Sequence, residues 1–175
     1  MPNWCENSVT ITGPVDKLKS LWDSHEDSDL SLLSAMNPIP EGLDGEESYH
    51  WRLANWGTKW DINTEGLDFS DLGDGLGQIS GYFESAWAPP VEAYDAFISE
   101  NSKITIEAFY YEPGMCFCGK WDSGDDQYID DYTDFLSAAA EDRPTGSSVF
   151  DEVDHHFGIV AMWLEFCEQN DDVAL

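Results

Sequence analysis

Apolar and polar residues alternate with a period of two over residues 7–13, where Val9 and Ile11 interleave with threonines before Gly13-Pro14. Side chains on a strand point alternately to opposite faces, so this pattern predicts a short strand closed by a turn. Val15, Leu18, Leu21 and Trp22 then recur at helical spacing, and Pro14 stands where its missing N–H costs nothing. A helix is expected there, ending in the acidic stretch 23–29. Residues 30–45 read as loop, and residues 49–61 hold Trp51, Trp56 and Trp60 in a cluster that either packs the core or lines a concave surface. Gly73, Gly75 and Gly77 read as a flexible turn before a strand over 78–85. A helix with one apolar face (Val91, Tyr94, Phe97, Ile98) should start near Pro89-Pro90. Residues 103–111 alternate as a strong strand, Pro113-Gly114 turns the chain, and 115–121 return as the hairpin partner. The order predicts an α+β fold with helices on one face of an antiparallel sheet.

The 175 residues suit one domain or one domain with an added segment. Seven Lys and Arg stand against 36 Asp and Glu, a formal charge of −29. Eight Trp, nine Phe and seven Tyr provide too much ring surface for a disordered acidic tail, so a packed core is expected despite the charge. So negative a surface repels phosphate, which argues against direct nucleic-acid binding. No apolar stretch approaches the roughly 18 residues of a spanning helix, and no basic-then-apolar leader opens the chain, so no membrane contact and a cytoplasmic location are expected.

Signals for catalysis or cofactors are weak. Cys5, Cys116, Cys118 and Cys167 are expected to stay reduced as small core residues; Cys116 and Cys118 form C-x-C, and no second pair exists for a redox or iron–sulfur motif. Glu47-x-x-His50 and Glu152-x-x-His155 have the spacing of di-metal helices, but the first falls in a glycine- and glutamate-rich loop and acids are abundant enough for chance matches. The acid-rich run 122–134 lacks the EF-hand order of ligands, and the glycines at 73–77 are not followed by Lys-Ser/Thr. No metal, no cofactor and no catalytic residue are expected.

Four segments occur in order: Met1-Pro2-Asn3-Trp4-Cys5-Glu6-Asn7, Asn55-Trp56-Gly57-Thr58-Lys59-Trp60-Asp61, Ala86-Trp87-Ala88-Pro89-Pro90 and Tyr111-Glu112-Pro113-Gly114. Together they resemble the YubB ferredoxin-like family of plasmid and phage accessory proteins, over residues 1–121. The resemblance implies a ferredoxin-like strand–helix topology without an iron–sulfur cluster, and an origin on a mobile element. It implies no activity and no catalytic residues. The expected organisation is a ferredoxin-like domain over 1–121 with an acidic helical extension over 122–175 packed on it.

That extension holds fifteen acids against one base, Arg143. Asp122, Asp126, Asp130 and Asp134 fall at successive i, i+4 positions and Tyr128, Tyr132, Phe135, Leu136 and Ala139 on another stripe, which predicts an amphipathic helix over 125–141. Like charges at i, i+4 cost roughly 0.2–0.5 kcal/mol each. A second helix is expected from Ser148, with Asp151 three residues on as a capping box, running through Cys167 and apolar on more than one face. Such a helix is deeply buried or forms a homo-oligomer interface. Carboxylates spaced about 6 Å along a helix imitate the charges of a polynucleotide. The charge, together with the mobile-element origin that the resemblance implies, points to a phage- or plasmid-encoded inhibitor that fills the basic nucleic-acid groove of a host defence protein, such as a restriction enzyme, a CRISPR effector or a recombination nuclease. Asp122, Asp125, Asp126, Asp130, Asp131 and Asp134 would carry binding, with Tyr128 and Tyr132 as anchors. The alternative is a ligand- or protein-binding module that uses the tryptophan cluster, its acidity incidental.

Overall fold

The computed structural model describes residues 3–26 and 31–169. Six antiparallel strands form one sheet: β1 (Trp4–Pro14), β2 (Leu67–Gly73), β3 (Leu76–Ala86), β4 (Thr105–Glu112), β5 (Phe117–Asp122) and β6 (Asp125–Ile129), in the order β2-β3-β1-β4-β5-β6. The helices are α1 (Val15–Glu26), α2 (Leu32–Met36), α3 (Gly45–Asn55), α4 (Val91–Glu100), α5 (Thr133–Ala140), α6 (Ser148–Phe157) and α7 (Ile159–Gln169). This is the expected α+β, ferredoxin-like arrangement. Residues 27–29 of the acidic stretch lie outside the described residues, as do Met1, Pro2 and residues 170–175.

The period-two alternation divides the sheet between two cores. Val9 and Ile11 of β1, Ile79 of β3, Ile106, Ala108 and Tyr110 of β4 and Trp121 of β5 bury against Leu18, Leu21, Tyr94 and Phe97 of α1 and α4. The intervening residues Phe109, Tyr111 and Cys118 face the other way and join Tyr132, Leu136, Phe150 and Val153. The C-terminal helices thus occupy the face opposite α1–α4, over β4 and β5. Burying Phe150 and Val153 completely is worth about 2 kcal/mol each in area removed from water.

Several elements depart from the sequence pattern. β2 was masked by polarity: it is an edge strand whose Leu67 is buried while residues 70–73 are exposed. Asp74 and Gly75 both take positive φ (51° and 79°) and close the β2–β3 hairpin, as a two-residue turn that follows the strand twist requires. The expected loop 30–45 contains α2, whose amides at Leu33 and Ser34 bond the Asp61 carboxylate at 3.0 and 2.9 Å.

The larger correction concerns 125–141. Residues 125–129 are a strand and helix begins only at Thr133. Ser123 and Gly124 (φ 47° and 104°) turn the chain, and β6 pairs with β5 from Asp122↔Asp125 to Cys118↔Ile129. Pairing with an open sheet edge satisfies backbone groups that a short acidic helix would have left to intrahelical bonds alone, so tertiary context overrides the i, i+4 pattern. The acids at 122, 126, 130 and 134 consequently form no helical row. The last helix is also two: Gly158, in the left-handed region at φ 68°, ends α6, and the Asp154 carboxylate accepts from the Val160 amide at 2.7 Å to start α7. The cap of α6 is Ser147, which accepts from the Phe150 amide, one residue before the expected Ser148.

Candidate functional site

The predicted acids surround the β5–β6 hairpin. Register aligns Glu107 of β4 with Asp122 of β5, and Asp122 with Asp125 of β6. Three carboxylates therefore stand side by side across three strands on the face that carries α6, at strand spacing of about 4.8 Å. Like charges directly opposite on a sheet are destabilising by roughly 0.2–1 kcal/mol per pair. Lys120, one row along, is taken up by Glu107 at 3.1 Å and Glu152 at 2.9 Å, so its charge is spent within the fold. Glu152 of the Glu152-x-x-His155 spacing is thereby an ion-pair partner of Lys120. Among the described residues no group of three His, Cys, Asp or Glu side chains converges as metal ligands would.

The remaining predicted residues have separate fates. Asp126 faces the first core and accepts the Tyr110 hydroxyl at 2.6 Å. Gly119 lies between them on the neighbouring strand; a Cβ there would stand 2.3 Å from the Tyr110 hydroxyl oxygen. Burial, then this bond and the Asp126 charge, push the Tyr110 phenol far above its usual range. Glu92 and Asp95 of α4 are also raised, burial first, with Asp126 among the charges responsible. Asp131 is fully exposed and accepts from the Thr133 hydroxyl and amide at 2.7 and 2.9 Å, which lowers its pKa. Asp130 and Asp134 are exposed. Tyr128 is 54% exposed, whereas Tyr132 is 4% exposed and packs on Phe150. Tyr132 is therefore core and not a contact residue: its spacing placed it on a helix stripe, and its burial follows from the strand-to-helix change at 130–132.

A second surface is built where the four sequence segments meet at one end of the sheet. Trp56 is fully buried and donates to the Asn37 carbonyl at 2.8 Å. Thr58 and the Lys59 amide both bond the Ala86 carbonyl, at 2.8 and 3.4 Å. The Trp87 amide bonds the Asn3 carbonyl at 2.9 Å. The buried Glu112 carboxylate accepts from the amides of Gly114 and Met115. On this frame the tryptophans split: Trp56 is core, while Trp4, Trp60 and Trp87 are each about 40% exposed. Lys59 Nζ sits between two of them, 4.6 Å from the Trp60 ring centre and 4.8 Å from that of Trp87. Trp87 adopts φ 79°, a conformation that costs a bulky residue on the order of 1–3 kcal/mol and that clusters at functional sites. Sequence reasoning found these segments but could not divide buried from exposed rings, because every tryptophan is compatible with either.

Cys5 and Cys118 are buried, and burial pushes Cys118 up to about 12, where the thiolate is scarce.

A family model described as "Ferredoxin-like domain in Api92-like protein" matches residues 55–153. The chain belongs to this family. Its matched stretch passes through β6 and α5 and ends within α6, so α7 lies beyond it. Among curated relatives, the uncharacterized protein YubB of Escherichia coli (strain K12) is 32% identical over 72 residues, covering 41% of this chain and 48% of YubB. Among solved structures, the protein api92 from Yersinia pseudotuberculosis aligns with a TM-score of 0.36 and 16% identity, over 56% of this chain and 38% of that one. The matches thus span about half or less of these relatives' length. Among the described residues no helix is long and apolar enough to cross a membrane.

Proposed function

We propose that this Api92-like chain is a non-catalytic inhibitor, carried by a phage or plasmid, that occupies the basic nucleic-acid groove of a host defence protein in the cytoplasm. Restriction enzymes, CRISPR effectors and recombination nucleases present such grooves. The observation that carries the reading is the aligned Glu107–Asp122–Asp125 row beside exposed Asp130 and Asp134, in which Lys120 pairs with Glu107 and Glu152 and leaves Asp122 and Asp125 without an ion pair among the described residues. Self-repulsion in this row lowers stability, so its arrangement calls for a compensating role. A surface rich in Arg would supply charge-assisted hydrogen bonds to the row. Acid on an edge strand also blocks sheet-to-sheet aggregation, but that role needs charge on β6 alone and not on β4 and β5.

The test separates the two roles by sign. Asp122→Asn and Asp125→Asn should each raise stability by about 0.2–1 kcal/mol while weakening capture of the partner from host lysate, and capture by the parent chain should fall steeply as salt rises. Undiminished capture by the double variant, or capture indifferent to salt, would reject the row as the contact surface.

A second reading is favoured by the three exposed tryptophans: a protein-binding module in which that cluster is the contact. It predicts salt-insensitive binding lost in Trp60→Ala. Self-association through the exposed apolar residues Met162 and Leu164 of α7 is a further part of the proposal, read from a concentration-dependent mass in solution.

A further inference from the structure

A groove of about 480 Å³ opens beside the tryptophan cluster, lined by Trp4, Asp61, Asn63, Glu65, Tyr82 and Glu84 among others. It exists because the β2–β3 ladder stops early: pairing ends at Leu67↔Gly81. The Tyr82 amide still bonds the Gly66 carbonyl at 3.0 Å, and the Ala86 carbonyl is taken by Thr58 and Lys59. Main-chain groups alternate in direction along a strand, so the N–H and C=O of Glu84, midway between these two, aim the same way into the groove. Among the described residues no hydrogen bond reaches them from that side. The gap is thus one residue pair of open sheet edge, flanked by the half-exposed rings of Trp4 and Tyr82 (41% and 52%).

Its charge is equally uncompensated. Glu84 stands directly opposite Glu6 on β1, and burial followed by the Glu84 charge raises the Glu6 pKa. Glu65 is exposed, with Asn63 as its neighbour at 3.3 Å. Asp61 is the exception, since α2 uses its carboxylate.

From this juxtaposition of an unpaired main-chain edge, two exposed rings and a like-charge carboxylate pair, we propose that the groove is a docking slot for an extended basic segment of a partner protein. One residue of that segment pairs with the Glu84 backbone, and an adjacent arginine lies on Trp4 or Tyr82 with its guanidinium between Glu84 and Glu65. Strand addition supplies the main-chain bonds and the rings supply stacking for a planar cation. A cation there also relieves the Glu6–Glu84 repulsion. The inference shares with the proposed function only the premise of a basic partner; it concerns a different surface, and the Asp122/Asp125 experiment is indifferent to its outcome.

The full chain should be titrated at low ionic strength with a blocked hexapeptide of alternating arginine and valine, and with the same peptide carrying citrulline for arginine. The expected result is binding of the arginine peptide, at least tenfold weaker binding of the citrulline peptide, and slowed hydrogen exchange at the Glu84 amide on complex formation. Glu84→Gln and Trp4→Ala, both exposed positions, should each weaken binding by about fivefold, whereas Asp74→Asn, at the far end of the β2–β3 hairpin, should leave it unchanged. Absence of binding overturns the proposal, as does an unprotected Glu84 amide in the complex. Equal loss in Asp74→Asn shows general electrostatics and overturns it as well.

Discussion

Replacing Gly119 with alanine tests the hairpin that organises the acidic surface. Gly119 needs no unusual backbone angle; its constraint is contact. An added Cβ would lie 2.3 Å from the Tyr110 hydroxyl oxygen, 2.5 Å from the ring carbon that bears it and 2.9 Å from the Gln127 carbonyl of β6. Tyr110 is fully buried and cannot swing aside as a surface side chain would. Overpacking of this kind costs about 1–3 kcal/mol. Displacing the hydroxyl also breaks its 2.6 Å bond to Asp126, worth about 1.5 kcal/mol because the exposed carboxylate recovers water. A loss of about 3 kcal/mol follows, or about 6–12 °C in melting temperature for a chain of this size. Urea unfolding followed by tryptophan fluorescence measures it. A double-mutant cycle localises it: in a Tyr110→Phe background the hydroxyl is gone, so Gly119→Ala should cost about 1 kcal/mol less than in the parent. If Gly119→Ala stays within about 0.5 kcal/mol of the parent, Tyr110 of β4 and Gln127 of β6 do not both close over Gly119, and the β4–β5–β6 register that aligns the carboxylate row is overturned.

Two further predictions concern polar and titratable side chains. The Tyr94 hydroxyl is buried without a hydrogen-bond partner among the described residues, so Tyr94→Phe should raise stability by about 1 kcal/mol; a lower denaturation midpoint would show that the hydroxyl is satisfied. Glu6, Glu92 and Asp95 all carry raised pKa values in the fold, so the folded state binds protons more tightly than the unfolded chain. Stability should therefore rise as pH falls from about 7 toward the ordinary carboxylate range near 4, opposed below about 6.5 by His156, whose pKa burial and His155 depress. Melting temperatures at stepped pH check this, and Glu6→Gln should flatten the rise; an unchanged slope in that variant would contradict the Glu6–Glu84 coupling.

Local periodicity determined a good part of this protein. Val9 and Ile11, the stripe Val15–Leu18–Leu21–Trp22, and the alternation at 104–109 all report which face is buried, because burial on one face leaves a period in the chain. The net charge and the ring content are likewise sequence facts, and the four ordered segments around Trp4, Trp56, Trp87 and Glu112 were visible as text. What required the tertiary structure was every property that depends on a neighbour distant in sequence. Asp122, Asp126, Asp130 and Asp134 carry a helical spacing, yet an open edge at β5 offered residues 125–129 a ladder of hydrogen bonds, and the ladder prevailed over the local pattern. The same pairing aligned Glu107, Asp122 and Asp125, residues with no periodic relation in the chain. It also sent Tyr132 into the second core while leaving Tyr128 outside. Tryptophan offers no periodic clue of its own, so only the tertiary structure decided that Trp56 is buried against Trp51 with its indole N–H on the Asn37 carbonyl, while Trp4 borders a groove. The sequence thus set how much apolar and acidic surface there would be; which carboxylates share a face was decided by strand register, a long-range quantity that no local window contains.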